Sequence, residues 1–235
     1  MKAVILAGGK GKRLEPYSLV VPKPLMPVGD LPIMEIIVKK LVKSGFTEIY
    51  VACGHLAELI KSYFNNGKKW GANIEYSLED RELGTVGPLK LLRDKLDESF
   101  LVVNGDTLTD LDFQKIYRFH LIQGKPLTIG VVKREIATEF GVVKFEGNVL
   151  KEYQEKPTLE YYVSMGVYVF NPYILRRIPE NQKYDFPDLV NDLLKDNLEI
   201  GIYLHDGFWL DLGRKEDFEV ALEEFEKRRK EILQE

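Results

Sequence analysis

The amino-acid sequence predicts an α/β fold in which helices flank a mixed, mostly parallel β-sheet. Over the first half of the chain, short apolar runs of strand length alternate with amphipathic helical segments, which is the pattern of βαβ units. Over the second half, short β-rich runs separated by turns replace this alternation, so we expect a more antiparallel region there. The length of 235 residues fits one large domain better than two ordinary ones.

The first half supplies predicted strands at residues 3–7, 48–53, 74–78 and 100–103. The runs at 3–7 and 100–103 are apolar throughout, as expected for buried strands. Helices are predicted between them at 31–44, 56–65 and 88–96. In the first helix, Ile33, Ile37 and Leu41 recur at helical spacing, and Gly45 marks its end. Because open α/β sheets bind ligands at the carboxyl ends of their strands, we expect the binding residues in the loops that follow these strands.

The second half begins with a predicted helix at 112–123 and continues with short strands at 127–133, 141–145, 149–155 and 163–170. Turn residues between these runs favour antiparallel pairing. A further helix begins near Asp185 with Pro187 in its first turn, and we interpret this segment as structural. The last helix, at 215–235, should pack on the sheet through one apolar face formed by Phe218, Leu222, Phe225 and Ile232.

Composition and charge exclude several classes of function. Hydrophobic residues make up 45% and charged residues 30% of the chain, as in soluble globular proteins. No apolar run approaches the length that spans a bilayer, and Lys2 is followed by only five apolar residues, so we expect neither a membrane partner nor a secretory signal. The single cysteine, Cys53, excludes an internal disulfide, and we expect a cytoplasmic protein. A net charge of −4 argues against nucleic acid as a partner.

A glycine-rich loop follows the first strand and predicts a phosphate site. Gly8, Gly9 and Gly11 permit a backbone turn whose N–H groups point at an anion, and Arg13 and Lys23 supply formal positive charge. The spacing differs from both common phosphate loops. The dinucleotide fingerprint needs glycine where Leu14 stands, and a Walker loop needs Ser or Thr after a Gly-Lys pair.

One aspartate in the sequence is a candidate ligand for a divalent cation, and a second aspartate stands in a similar local setting. Asp106 follows the apolar strand 100–103, at the edge of the sheet where the glycine loop also emerges, and phosphoryl chemistry uses one or two carboxylates to hold such an ion. Asp211 follows the apolar residues Phe208 to Leu210 in the same manner. In isolation, Asp106 fits a simple Asn-Gly-Asp turn and Asp211 fits the start of the last helix.

The stretch from Leu6 to Val28 reads L-A-G-G-x-G-x-R-L-x-P-x-S-x-x-x-P-K-P-L-x-P-V and resembles the opening signature of the sugar-nucleotide pyrophosphorylases. The similarity extends from Lys2 to Ala221. It implies a Rossmann-like, glycosyltransferase-A-like nucleotidyltransferase domain over residues 1–235. A nucleotide-binding half would cover 1–110, and a β-rich half that binds sugar phosphate would cover 111–235 together with the C-terminal helix.

The resemblance also implies roles for individual residues. The catalytic residues it implies are Arg13, Lys23 and Asp106. The nucleotide-binding residues it implies are Leu6, Gly8, Gly9, Gly11, Glu79, Gly84 and Thr85. The sugar-phosphate-binding residues it implies are Gly141, Glu155, Lys156 and Gly166. The metal ligands it implies are Asp106 and Asp211, with Mg²⁺ as the cofactor.

Simpler interpretations exist for several of these residues when each motif stands alone. Thr85 fits the N-cap of a following helix, and Gly141 fits a β-bulge. Glu155 and Lys156 precede Pro157 and fit a solvated turn. The substrates implied by the resemblance are a nucleoside triphosphate and a sugar 1-phosphate, and the sequence leaves open whether the chain forms a homo-oligomer.

The segment L-G-T-V-G-P, residues 83–88, is similar to the guanylyltransferase branch, which favours an enzyme like mannose-1-phosphate guanylyltransferase. Alternatives within the class are a glucose-1-phosphate thymidylyl-, uridylyl- or cytidylyltransferase and a heptose-1-phosphate guanylyltransferase. A phosphocholine cytidylyltransferase of the same fold is a further alternative. The alternative of a different class is a non-catalytic regulatory subunit that binds a nucleotide sugar.

Overall fold

The computed structural model describes residues 1–213 and 215–234, and its main strands and helices follow the predicted order. The strands are β1 Lys2–Ala7, β2 Pro27–Val28, β3 Leu31–Pro32, β4 Glu48–Cys53, β5 Asn73–Leu78, β6 Phe100–Asn104, β7 Thr107–Thr109, β8 Leu127–Ala137, β9 Val142–Glu146, β10 Val149–Gln154, β11 Thr158–Phe170, β12 Gly201–His205 and β13 Trp209–Asp211. The α-helices are α1 Ile33–Lys43, α2 Ala57–Phe64, α3 Phe113–Gln123, α4 Phe186–Lys195 and α5 Lys215–Leu233. Within the described ranges, no helix combines the length and the apolar character that a bilayer crossing requires.

The central sheet of the described chain has seven strands in the order β12-β8-β11-β6-β1-β4-β5. Strand β1 lies in its middle, parallel to both β6 and β4, and β5 is parallel to β4. In contrast, β11 is antiparallel to both of its neighbours, β6 and β8. The predicted mixed, mostly parallel sheet is confirmed. Because β1, β4, β5 and β6 run in one direction, the loops that follow them emerge at the same edge of the sheet.

Two hydrophobic layers cover the two faces of this sheet. Along β1, Ala3, Ile5 and Ala7 belong to the core shared with α1, α2, α3 and α5, whereas Val4 belongs to the core shared with α4. This alternation follows from the two-residue period of a strand, and both faces are apolar because helices cover both sides. Strand β1 is therefore packed on both of its faces, and the glycine loop begins at its end.

The β-rich region predicted for the second half consists of long strands and small hairpins. Strands β8 and β11 extend beyond their predicted bounds and pair as far as Ala137 opposite Thr158. Their outer ends carry charged side chains, such as Lys133 and Glu160 with Nζ and Oε1 2.5 Å apart, so an apolar pattern could not reveal them. Strands β9 and β10 form a separate antiparallel hairpin, and β13 pairs with β7.

The helix predicted at 88–96 is instead a 3₁₀ segment, Gly87–Leu92. The amides of Val86 and Gly87 both donate to the carbonyl of Tyr184 at 3.0 Å, so a segment distant in sequence holds the start of this 3₁₀ segment.

A buried lysine helps to dock the last helix against the first. The Lys40 ammonium donates to the carbonyl of Ile232 at 2.8 Å, near the end of α5, and burial lowers its pKa to about 8. On the predicted apolar face of α5, Phe225 and Ile232 are buried, but Leu222 is 42% exposed and Ala221 is buried instead. Glu235, the predicted end of this helix, lies outside the described residues.

Acid should destabilise the protein through His120, which is 2% exposed and has its Nδ1 2.9 Å from Thr128 Oγ1. Burial lowers its pKa to about 4. The unfolded chain takes up a proton near pH 6.5 whereas the folded chain does not, so the contribution of this group is present above pH 6.5 and is lost as the pH falls to 4. We expect a loss of about 3 kcal/mol in the free energy of unfolding from this residue.

Urea unfolding of the wild type and of His120→Gln between pH 7 and pH 4 measures this effect. The stability difference between the two proteins should shrink as the pH falls. A difference that stays constant over this range would show that His120 does not carry the effect.

Candidate active site

A cleft lies at the edge of the sheet where β1, β5 and β6 end, and it contains two adjoining cavities. One, of about 280 Å³, is lined by Arg13, Lys23 and Asp106, and we term it the charged cavity. The other, of about 470 Å³, is lined by Glu79, Thr85 and Asp185, and we term it the loop cavity. Residues of the glycine loop and Asp106 line both, so the cavities form one continuous cleft.

The glycine loop lines both cavities, and close contacts require glycine at two of its positions, Gly8 and Gly11. A Cβ atom on Gly8 would lie 2.5 Å from Glu79 Oε1, so a side chain there would displace that carboxylate. Gly11 has a φ of 62°, and a Cβ atom on it would lie 3.1 Å from the side chain of Ser18. Among the predicted nucleotide-binding residues, Gly9, Gly11 and Leu6 line both cavities and Gly8 lines the loop cavity.

The structure brings the two predicted metal-ligating carboxylates into contact. Strand β13 pairs with β7 so that Asp211 lies opposite Thr107, and the Leu212 amide donates to the Asp106 carbonyl at 3.1 Å. Burial, together with the neighbouring charge of Asp106 and a hydrogen bond to it, raises the pKa of Asp211 to about 6. Two carboxylates held this close repel each other unless a cation lies between or beside them.

Two cationic side chains meet this carboxylate pair. The Lys23 ammonium forms an ion pair with Asp106 Oδ2, and both side chains are largely buried. Arg13 approaches from the glycine loop, since a Cβ atom on Gly213 would lie 2.9 Å from both Arg13 Nη2 and Asp211 Oδ2. Four charged side chains from three separate parts of the sequence therefore converge in and beside the charged cavity: Arg13, Lys23, Asp106 and Asp211.

The donor set of the charged cavity fits a hard divalent cation that is shared with a phosphate ligand. In the ranges that the structure describes, no cluster of three or more His, Cys, Asp or Glu side chains forms a complete metal cage. Mg²⁺ is usually held by one or two carboxylates and by substrate oxygens. The charged cavity supplies a pair of carboxylates, with two cationic side chains beside them. Asp106 and Asp211 could hold such an ion.

The loop cavity contains the remaining predicted nucleotide-binding residues, Glu79, Gly84 and Thr85. Glu79 Oε2 accepts a hydrogen bond from the Leu83 amide at 3.0 Å, and burial raises the pKa of this carboxyl. The alternative role of Thr85 as a helix N-cap is wrong. The 3₁₀ segment begins after Val86, and the Thr85 hydroxyl accepts from the Phe186 amide at 2.8 Å.

The predicted sugar-phosphate residues are divided between the cleft and the β-rich region. Gly166 lies at an irregularity in β11 with a φ of 70°, and a Cβ atom on it would lie 2.4 Å from Nδ2 of Asn104, a residue that lines the loop cavity. Gly141, Glu155 and Lys156 flank the β9–β10 hairpin, and the structure does not place them among the residues that line either cavity.

The hairpin residues nevertheless have a defined local arrangement. The Tyr153 hydroxyl donates to Glu155 Oε2 at 2.5 Å, and a Cβ atom on Gly141 would lie 2.3 Å from the same hydroxyl. Gly141 therefore packs against a tyrosine side chain. Lys156 is exposed and has a φ of 45°, a backbone conformation that residues other than glycine adopt rarely.

Sequence reasoning missed several residues that line the loop cavity, among them Lys10, Lys183 and Asp185. The local sequence around Asp185 indicates only the start of a helix. Its contact with Thr85 joins positions 100 residues apart, and no local sequence signal announces it. Lys10 forms an ion pair with Glu82 across the cavity, with Nζ and Oε1 2.6 Å apart.

Comparisons with known proteins agree with the geometry of this cleft. A family model described as nucleotidyl transferase matches residues 2–228. The chain is 36% identical to UTP–glucose-1-phosphate uridylyltransferase of Synechocystis, over 94% of this chain and 62% of that protein. It is 37% identical to mannose-1-phosphate guanyltransferase beta-B of Xenopus laevis, over 93% of this chain and 62% of that protein. The chain thus spans somewhat less than two thirds of these relatives.

Solved structures show the same fold. A Bacillus anthracis protein described as a glucose-1-phosphate thymidylyltransferase, in complex with sucrose, superposes with a TM-score of 0.78 and 26% identity, over 95% of this chain and 94% of that one. HddC from Yersinia pseudotuberculosis, in complex with GMP-PN, superposes with a TM-score of 0.74 and 24% identity, over 95% of this chain and 99% of that one.

Proposed function

Because the chain belongs to the nucleotidyl transferase family, we propose that it joins a sugar 1-phosphate to a nucleoside monophosphate taken from a nucleoside triphosphate, with release of pyrophosphate. The convergence of Arg13, Lys23, Asp106 and Asp211 at one end of a cleft is the observation that carries this proposal. The loop cavity beside them has room and polar groups for a nucleoside.

The proposed reaction is an in-line displacement at the α-phosphorus of the triphosphate. A phosphate oxygen of the sugar 1-phosphate forms the new bond to phosphorus, and the bond from the α-phosphorus to the α,β-bridging oxygen breaks. The electron pair of that bond leaves with pyrophosphate. The attacking phosphate is already ionised near neutral pH, so no general base is needed to activate it.

Charge repulsion between the two substrates is the main obstacle that the protein must offset. Two unit charges 4 Å apart repel by roughly 4 kcal/mol at an effective dielectric constant of about 20. Arg13 and Lys23 supply positive charge where the triphosphate and the departing pyrophosphate would lie. In the free protein, Lys23 is paired with Asp106, so this cation is already in position before a ligand binds.

Nucleotidyltransferases of this family generally use a divalent metal. We propose Mg²⁺, with Asp106 and Asp211 as its protein ligands. When bound, the ion supplies positive charge to phosphate oxygens as a Lewis acid. Burial and the charge of Asp106 raise the pKa of Asp211, and a bound cation would relieve the repulsion between the two carboxylates.

For the sugar phosphate, we propose that Glu155 accepts hydrogen bonds from sugar hydroxyls and Lys156 meets the phosphate, with Gly141 and Gly166 allowing close approach of the sugar. Lys156→Ala should raise the KM for the sugar 1-phosphate by about 10-fold, because a charge-assisted contact is lost, and leave the KM for the triphosphate unchanged. Lys151→Ala, which removes an exposed lysine from the same hairpin, is the matched control. An unchanged KM in Lys156→Ala would remove the assignment.

The preferred substrates are GTP and mannose 1-phosphate or a related sugar or heptose phosphate. This choice rests on the segment L-G-T-V-G-P and on relatives such as the Xenopus laevis guanyltransferase, whereas the Synechocystis relative is a uridylyltransferase. The test is pyrophosphate release by the purified chain, with each of four nucleoside triphosphates against several sugar 1-phosphates in the presence of Mg²⁺. Release with no pair, together with binding of a nucleotide sugar, would favour the regulatory-subunit alternative.

A further inference from the structure

The loop that shapes the nucleoside end of the cleft is held by a segment far away in the sequence. The Leu83 carbonyl accepts from the Tyr184 amide at 2.9 Å, and the Tyr184 carbonyl accepts from the amides of Val86 and Gly87 at 3.0 Å. Residues 83–87 thus run beside residues 184–186 and bond to them through their backbones. The shape of this loop depends on the segment that precedes helix α4.

The side chain of Asp185 also binds this loop. Its Oδ1 accepts from the Thr85 amide at 3.0 Å and from the Thr85 hydroxyl at 3.5 Å, and the same hydroxyl accepts from the Phe186 amide at 2.8 Å. Gly84 adopts a φ of 81°, and a Cβ atom on it would lie 2.6 Å from Asp185 Oδ1. The carboxylate is therefore packed directly against the backbone of the loop.

Asp185 also has contacts outside the loop, with Lys183 and with the start of helix α4. Asp185 Oδ2 lies 3.3 Å from Lys183 Nζ, and both residues line the loop cavity. At the start of α4, it is Asp188 Oδ2 that accepts from the Asp185 amide, at 2.9 Å. Asp185 and Asp188 form a capping box, in which the Asp185 side chain also accepts from the Asp188 amide. A variant of Asp185 that keeps the backbone keeps the bond to Asp188 Oδ2 but removes the acceptor for both Thr85 and the Asp188 amide.

We infer that Asp185 is a positioning residue for nucleotide binding: it fixes Gly84 and Thr85 in the conformation that forms the wall of the nucleoside pocket. This inference rests on the proposed function of the cleft, because it takes the loop cavity to be the nucleoside site. Asp185 acts through Thr85 rather than by contact with the reacting phosphates. Its loss leaves an amide without its acceptor and a loop with more conformations to lose on binding.

The first test is direct binding of GTP and of the other triphosphates to the purified protein, by titration calorimetry without sugar phosphate. Asp185→Ala should raise the Kd for the preferred triphosphate by about 10-fold. In turnover assays, the KM for the triphosphate should rise similarly, and the KM for the sugar 1-phosphate should change by less than about twofold. Asp185→Asn, whose amide oxygen can still accept from the Thr85 amide, should restore most of the affinity.

Asp188→Ala is the matched control for the helix start, since it removes the acceptor of the Asp185 amide. It should lower the Tm without changing the Kd for the triphosphate. The inference is overturned if Asp185→Ala binds triphosphate as the wild type does, or if Asp188→Ala raises the Kd as much as Asp185→Ala. Equal damage in Asp185→Asn and Asp185→Ala would also overturn it.

Two readouts separate this inference from the proposed activity. If the wild type releases no pyrophosphate but Asp185→Ala still weakens triphosphate binding, the activity is refuted and the positioning role stands. If turnover is normal and binding is insensitive to Asp185, only the positioning role fails. Should Asp185→Ala not fold, Thr85→Val tests the same contact: it removes the hydroxyl bonds to Asp185 and Phe186 and should weaken binding, whereas Thr85→Ser should not.

Discussion

Replacing Asp106 or Asp211 with asparagine is expected to lower kcat by about 100- to 1,000-fold, because each change removes a charged ligand for the cation that would offset transition-state charge. The two side chains are in contact. Asparagine has nearly the same shape as aspartate, so each substitution removes one negative charge with little change in packing. Steady-state rates of pyrophosphate release with saturating substrates measure the effect. Asp94→Asn, which alters a carboxylate that lines neither cavity and is 90% exposed, should retain the wild-type rate.

Asp106→Asn and Asp211→Asn should differ from each other in thermal stability. Their melting temperatures also distinguish a loss of activity from a loss of the fold. Asp211 has a raised pKa, so its charged form disfavours the folded state at high pH. Asp211→Asn should therefore raise the Tm at pH 8, and most of this gain should be lost at pH 4, where the folded-state carboxyl is protonated and the unfolded-state carboxyl is partly protonated. Asp106→Asn leaves Lys23 without its ion-pair partner and should not stabilise the protein in this way.

The second large effect is expected at Arg13. Arg13→Ala should lower kcat/KM by about 100-fold or more, because the guanidinium supplies charge opposite the triphosphate beside Asp211. Arg13→Lys should recover only part of this activity, since an ammonium lacks the planar fork that binds two phosphate oxygens at once.

Gly213 offers an independent test of where Arg13 must lie. A Cβ atom there would lie 2.9 Å from Arg13 Nη2 and from Asp211 Oδ2, so Gly213→Ala should displace these side chains and lower kcat/KM without changing the charge of the site. The double variant with Arg13→Ala should be little worse than Arg13→Ala if displacement of the guanidinium is the main effect. Full activity in Gly213→Ala would show that this placement of Arg13 is not required.

The sequence was sufficient to predict the main strands of the sheet and one end of the site. The central strands β1 and β6 are mostly apolar because both faces of the sheet are covered there, and that pattern is visible without coordinates. Parallel strands deliver their loops to one edge, so the glycine loop and Asp106 were expected near each other. The family resemblance added Asp211, and the β7–β13 pairing places it beside Asp106.

The rest of the site could not be predicted because it depends on contacts between distant segments. Thr85 and Asp185 are 100 positions apart, and each has a plausible local role as a helix cap that conceals their contact. The start of the 3₁₀ segment after Thr85 also depends on a distant contact, since the amides of Val86 and Gly87 donate to the Tyr184 carbonyl. The role of Lys156 comes from the family pattern alone. Lys156 is exposed beside the β9–β10 hairpin, and the KM of Lys156→Ala for the sugar 1-phosphate tests that role.

The central claim is that Asp106 and Asp211 act as one unit on one bound cation, and a double-mutant cycle on kcat/KM tests it most directly. If they share an ion, the variant that carries both Asp106→Asn and Asp211→Asn should lose about as much activity as the more damaged single variant, about 100- to 1,000-fold. Losses that multiply, to about 10,000-fold or more, would show that the two carboxylates act independently and would contradict a shared cation site.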